Sequence, residues 1–271
     1  NTNSLVNIYI LYINLSNDNI VKLENMQTNK IKIICKDISK YINLNDLYEI
    51  NNYSYEIYFK LYVADIFKFK KCLFLDCDTI ILDDIKKLYD TNINNYQLGA
   101  VKEYNRFYGR QKYYFNCGVL LINVERFRDD NIKNKCLELL KNNKFLLPEQ
   151  DALNIALDNT LKLDNKFNYQ IHATCLNKFK KIKKKYKLTE PFIIHFTGDT
   201  KPDKNLCTSY NKLFYKYAVD TVYYQELCEN FFFNLDNVLD NMPVAEIYLN
   251  KIENNKYGGF TIIRITYNSI K

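Results

Sequence analysis

Apolar and polar positions alternate in two different rhythms along this chain. The run Val6 to Ile13 is apolar, β-branched and aromatic, which predicts a strand. Ser16 can cap a helix reaching about Met26, and Lys30 to Cys35 reads as the next strand. From Tyr55 to Phe67, Ile57, Leu61 and Ala64 return at helical spacing, and that helix leads into Cys72 to Leu75, an apolar strand of the kind covered on both faces in parallel sheets. Gln97 to Val101 and Phe115 to Asn123 read as further strands. A helix that places Ile132, Cys136, Leu139 and Leu140 on one face follows them. Another helix starts near Pro148, where proline is tolerated in a first turn, and Phe192 to His195 reads as the last strand of the core. Such alternation predicts an open, mostly parallel α/β sheet with helices on both faces. Beyond about Thr208 the pattern becomes aromatic and helical from Tyr210 to Phe233. Phe260 to Ile265 then predicts a terminal strand or hairpin. The domain reading is therefore a core over 1–207 and a C-terminal extension over 208–271.

Composition changes this picture little. The chain has 271 residues, 47% apolar and 25% charged, enough for a substantial core and against disorder. Its eight cysteines, at 35, 72, 77, 117, 136, 175, 207 and 228, form no CxxC pair and read as reduced, packed thiols. No apolar run approaches the roughly 18 residues that span a bilayer, so the expectation is a cytoplasmic protein. The formal net charge of +7 owes much to Lys178, Lys180, Lys181, Lys183, Lys184, Lys185 and Lys187. That cluster reads either as a solvated loop or as a patch for anionic lipid headgroups or an acidic acceptor, which would place the protein peripherally at a membrane. No nucleic-acid-binding motif accompanies it, so nucleic acid is not an expected partner.

Candidate chemistry sits where strands end. Asp76 and Asp78 close the run Phe74-Leu-Asp-Cys-Asp, and residues i and i+2 point to the same side at the end where α/β sheets open their ligand crevice. Such a pair is either a solvated surface turn or a site for a hard cation, and its place directly after a buried strand favours the cation, because two adjacent carboxylates repel unless a cation or solvent separates them. His195-Phe-Thr-Gly198-Asp-Thr-Lys201-Pro202 again follows an apolar strand. Its imidazole suits manganese, while Gly198 lets backbone amides approach a phosphate and Lys201 neutralises it. Two further segments, Tyr114 to Asn123 and Leu147 to Asn154, carry Asn116, Gly118, Glu149, Gln150 and Asp151.

Together the segments FLDCDTIIL, DDIKKLYD, YYFNCGVLLINVERFR, PEQDALN and IIHFTGDTKPD resemble glycosyltransferase family 8, in that family's order, over roughly Val6 to Asp203. The resemblance implies a GT-A fold and a retaining, metal-assisted transfer of glucose or galactose from a UDP-sugar to a hydroxyl of lipopolysaccharide or another glycan or glycolipid. By the same resemblance Asp76, Asp78 and His195 hold Mn2+, or Mg2+, against the donor diphosphate, and Gly198 and Lys201 contact its phosphates. Lys60, Glu103, Asn116 and Glu149 contact the donor or acceptor sugar. Gln150 lies near the anomeric carbon with Asp151 beside it, and these two are the catalytic candidates. Lys60 stands where relatives have arginine, and Glu149 where many have aspartate. Family members also begin with a strand and an acidic turn that grips the nucleotide, whereas only Asn1 to Leu5 precede Val6 here. The sheet is expected to lack its first strand, and uridine binding to be weak. The alternative is a non-catalytic relative that binds glycans or a protein partner.

Overall fold

The computed structural model describes residues 3–47, 54–104, 113–172, 190–198, 201 and 209–230. The lysine cluster and the Phe260 to Ile265 run lie outside the described residues. Two compact units divide the chain, Asn1–Tyr217 and Ala218–Lys271. In the second, residues 224–230 are helical.

The first unit opens with β1 (Val6–Tyr12), α1 (Asn17–Glu24) and β2 (Ile31–Asp37). Ser16, in extended backbone, caps α1 by accepting the Asn19 N–H at 3.3 Å. The expected helix from Tyr55 is a 3-10 helix over Tyr55–Tyr62 that relaxes into α2 (Val63–Ile66). Tyr58, Phe59, Lys60, Leu61 and Tyr62 are all buried. Beyond its partly exposed first turn the helix is enclosed with no solvent-facing stripe, and it carries its lysine into the interior. After α2 come β3 (Lys71–Leu75), β4 (Thr79–Ile81), α3 (Lys86–Tyr89), β5 (Leu98–Lys102), β6 (Phe115–Asn123), α4 (Val124–Asp129) and α5 (Ile132–Asn142). The unit continues through α6 (Pro148–Ala156), β7 (Thr160–Lys162), β8 (Tyr169–His172), β9 (Ile193–Thr197) and α7 (Ser209–Ala218).

The α/β expectation holds, with the ladders mixed rather than mostly parallel. β1–β2, β5–β7 and β8–β9 are parallel, while β3–β6, β4–β9 and β5–β6 are antiparallel. β5 and β6 follow one another with no helix between them among the described residues, and only antiparallel neighbours can be joined without a crossover. The strand order is β3-β6-β5-β7 in one ladder set, β4-β9-β8 in a second and β1-β2 in a third.

With β3 on one side and β5 on the other, β6 buries all nine of its residues. Two apolar clusters cover its faces: Phe115, Cys117, Leu120 and Ile122 join one, Val119 and Leu121 the other. That assignment changes phase near Gly118, because pairing with β5 slips there. Leu98, Gly99 and Ala100 oppose Ile122, Leu121 and Leu120, yet Lys102 opposes Phe115. A bulge of this kind re-aims side chains, and here it turns Asn116 and the open face of Gly118 towards β8 and β9.

The apolar β3 was expected to be covered on both faces, but its residues are only half-buried. The reason is its second edge. Lys70 and Asp76 are bonded across to Val124 and Gly118, so by alternation the backbone groups of Leu73 and Leu75 point away from β6. The same argument turns those of Asn7, Tyr9 and Leu11 away from β2, because Val6 and Tyr12 are bonded to it. Neither edge meets another strand among the described residues. Val6, Leu73 and Leu75 pack on one cluster and Leu11, Ile13, Cys72 and Phe74 on the other. β1 and β3 thus each contribute side chains to the same two clusters.

Candidate active site

β3 ends at Leu75, and the chain turns through Asp76, Cys77 and Asp78 into β4. The Asp76 N–H donates to the Gly118 carbonyl at 2.8 Å, and Thr79 Oγ1 closes the turn by donating to the Asp76 carbonyl at 2.9 Å. β4 then runs antiparallel to β9, setting Thr79 opposite His195, and the Phe196 N–H donates to the Asp78 carbonyl at 3.0 Å. Two ladders therefore bring the acidic turn and the histidine together. Cys77, expected to be packed, is exposed in this turn, because the carboxylates on either side of it point inward.

One ligand atom each from Asp76, Asp78 and His195 lie within 4.8 Å of one another. His195 Nε2 is 3.2 Å from Asp78 Oδ1 and 3.9 Å from Asp76 Oδ2. Asp78 Oδ1 is buried and receives no hydrogen bond among the described residues. A buried carboxylate oxygen left in that state is destabilising unless a cation meets it. The imidazole has its own seat, since a Cβ on Gly118 would stand 2.0 Å from His195 Cε1. Two carboxylates, one of them with an orphaned oxygen, and one imidazole nitrogen fit a divalent cation.

Two lysines flank the acidic pair. Lys201 Nζ donates to Asp78 Oδ2 and, at 3.0 Å, to the Phe196 carbonyl. Lys60, 2% exposed, lies 3.3 Å from Asp76 Oδ1 and 3.4 Å from Glu149 Oε1, with its ammonium 5.3 Å from the Phe74 ring centre. Burial disfavours the charged ammonium, but Asp76 and Glu149 outweigh it and raise the Lys60 pKa. Burial likewise pushes the Glu149 carboxyl up, with Lys60 opposing. Gly198 has φ +60° and open space where a Cβ would stand, so its backbone conformation is what demands glycine.

A second group of expected residues forms a buried network. Asn116 Nδ2 donates to Glu103 Oε2 at 2.9 Å, and Gln150 Nε2 reaches the same oxygen at 3.4 Å and the Tyr114 hydroxyl at 3.3 Å. Gln150 Oε1 accepts the Cys117 N–H at 3.0 Å. Asp151 is held at the edge by the Tyr114 hydroxyl at 2.5 Å and the Leu147 N–H at 3.1 Å. The structure thus gathers Asp76, Asp78, His195, Lys201, Lys60 and Glu149 into one cluster, beside Glu103, Asn116 and Gln150.

Tyr114, Asn154 and Asn168 were given no role from the sequence, and Gly118 was named there without one. Tyr114 and Asn154 anchor α6 to β6, with Asn154 bonded to both backbone groups of Phe115 at 2.8 and 2.9 Å. Gly118 seats the imidazole, and the fully buried Asn168 links Asn116 to His195. The periodicity of Asn154, four residues after Gln150 on α6, could have marked it. Asn168, in a short 3-10 turn ahead of β8, carries no such signal.

Comparison with known proteins bears on the family and the fold. The sequence model of glycosyl transferase family 8 matches residues 1–207. General stress protein A of Bacillus subtilis is 30% identical over 165 residues, covering 54% of this chain and 58% of its own length. Lipopolysaccharide 1,3-galactosyltransferase of Salmonella typhimurium is 30% identical over 184 residues, covering 59% and 52%. The chain therefore spans only about half the length of these curated relatives. Among solved structures, the galactosyltransferase LgtC in complex with donor and acceptor sugar analogues superposes with TM-score 0.63 at 22% identity, covering 81% of this chain and 87% of that one. The glycosyltransferase GlyE of Streptococcus pneumoniae gives TM-score 0.65 at 19% identity, covering 88% and 58%. The fold is that of these GT-A glycosyltransferases.

Proposed function

Because the chain belongs to glycosyl transferase family 8, we propose that it transfers glucose or galactose from a UDP-sugar to a hydroxyl of a glycan or glycolipid, with retention at the anomeric carbon. The observation that carries this reading is the meeting of Asp76, Asp78 and His195 around a buried oxygen with no donor. A divalent cation there, Mn2+ or Mg2+, would supply Lewis-acid stabilisation of the departing diphosphate.

The chain's own groups do the rest. Asp76, Asp78 and His195 would hold that cation at the β3 end, and Gly198 leaves its backbone free to approach a phosphate. Lys201, now on Asp78, exchanges that partner for a phosphate oxygen when the carboxylate is otherwise neutralised, and so opposes the charge that develops on the leaving group. Lys60 holds Asp76 and Glu149 at the sugar end. Gln150, clamped by the Cys117 N–H, presents its amide beside the anomeric carbon, and Asp151 remains tied to Tyr114. In the transfer the bond from C1 to the β-phosphate oxygen breaks, the acceptor oxygen bonds C1 on the same face, and its proton leaves to the departing diphosphate. A polar, enclosed site favours this oxocarbenium-like passage without a strong protein nucleophile. Glycolipid acceptors agree with a membrane-surface role for the Lys178–Lys187 cluster. No helix among the described residues is long and apolar enough to cross a membrane.

The test is product analysis by NMR with UDP-glucose or UDP-galactose and an oligosaccharide acceptor, with and without Mn2+. The reading expects metal-dependent UDP release and an α-linked product. Inverted product would overturn the retaining assignment. Absence of turnover with every UDP-hexose would favour the non-catalytic alternative.

A further inference from the structure

We infer that Asn168 is a positioning residue that sets the tautomer of His195, placing the proton on Nδ1 and turning the Nε2 lone pair to Asp76 and Asp78. The Gly118 N–H has a fixed role in this network. A backbone N–H can only donate, and that of Gly118 lies 2.9 Å from Asn116 Oδ1. The Asn116 amide is therefore oriented with its oxygen towards Gly118 and its nitrogen towards Glu103, a carboxylate that accepts at 2.9 Å. The same Asn116 oxygen lies 2.8 Å from the Asn168 side chain, so Asn168 must meet it with its NH2. That leaves the Asn168 oxygen facing His195 Nδ1 at 3.0 Å. An amide oxygen has no proton to give. Nδ1 of the neutral ring must carry the proton, and Nε2 must be bare.

Each link is enclosed. Asn168 is fully buried, while Asn116 and His195 are 7% and 4% exposed, so water does not compete for these bonds. The seat on Gly118 holds the imidazole against β6, where an added Cβ would meet Cε1, Nδ1 and Nε2 within 2.7 Å. A ring flip would set Cδ2 against the Asn168 oxygen and forfeit the bond. The bare Nε2 then lies 3.2 Å from Asp78 Oδ1, which itself has no donor, and two electron-rich atoms so placed are joined by a cation. Histidine ligands of metals are oriented in this way by an acceptor on the far nitrogen. The network also gives Asn116 and Glu103 a role behind the imidazole as well as towards a sugar.

This inference rests on the metal site of the proposed function, and one experiment separates the two. Long-range proton–nitrogen NMR of the metal-free protein, above the ordinary imidazole titration range, reports which nitrogen of His195 is protonated. The chain's other histidine, His172, is distinguished with His172→Gln. Protonated Nδ1 and bare Nε2 are expected, and the opposite tautomer in the wild type overturns the inference whether or not metal binds. The expected tautomer in a wild type that binds no Mn2+ supports the inference and removes the metal reading instead. Asn168→Ala should move the proton to Nε2, where Asp78 can accept it, and weaken Mn2+ binding by about 10- to 100-fold as read by electron paramagnetic resonance. Asn168→Asp, which still accepts from Nδ1, should keep the wild-type tautomer. A folded Asn168→Ala protein with unchanged tautomer and Mn2+ affinity would also sink the inference, and the wild-type spectrum decides the matter if that variant does not fold.

Discussion

β6 and β1 are both apolar runs, yet every residue of β6 is buried and none of β1 is. The difference lies in their neighbours. β6 has β3 and β5 beside it and an apolar cluster on each face, whereas β1 is bonded to β2 alone among the described residues. Enclosure on four sides is what lets β6 carry polar chemistry, because Asn116 and the site it supports are shielded from water and their hydrogen bonds acquire direction. β1 is held instead by its ladder to β2 and by side-chain contacts such as Tyr9 against Phe67 and Phe69 at 4.8 and 5.6 Å between ring centres. Composition alone does not separate these strands; position in the sheet does.

Mutations on the two sides should separate them by size of effect. Lys60→Met, beneath the β6 site, leaves the largely enclosed Glu149 and the part-exposed Asp76 without their ammonium, and chemical denaturation should show a loss of about 3–4 kcal/mol, the lower part of the range for a buried pair because Asp76 is 35% exposed. A stability within experimental error of wild type would mean that Lys60 is not the counter-ion of this cluster. Leu121→Ala, in the fully enclosed part of β6, should lower stability by about 2–5 kcal/mol.

Gly118→Ala brings a methyl group against the His195 ring. The expected outcome is a loss of about 1–3 kcal/mol, from overpacking, together with loss of Mn2+ binding. Normal metal affinity in that variant would contradict the seat described here. At the small end, Ile8→Ala in β1, where the side chain is 41% exposed, should change stability by no more than about 0.5 kcal/mol. A loss as large as that of Leu121→Ala would break the contrast between the strands.

What could be read from the sequence follows the same division. Phe115–Asn123 was legible to its ends, because nine residues without a charge leave no other place for their polar flanks. The acidic pair was legible because it follows an apolar strand, and His195 because it lies within another, β9. β4 and β7, of three residues each, are too short to show a period, and their existence depends on pairing with β9 and β5. Asn168 and the bulge at Gly118 were hidden for a different reason. Their roles arise from contacts across the fold, such as the bond from Asn168 to Asn116, 52 residues away, and local pattern carries no record of such a distance. The half-burial of β3 was missed because its apolar side chains announce a buried strand, while its exposure is decided by which strand stands at its second edge.

In the function proposed, Asp76, Asp78 and His195 form a cation site that holds the diphosphate of a UDP-sugar. Calorimetric titration of UDP into the protein with and without Mn2+, repeated on Asp78→Asn, tests it most directly. The account predicts UDP binding that requires Mn2+ and disappears in a folded Asp78→Asn variant. UDP binding of equal strength without metal, or unchanged in the variant, would contradict it.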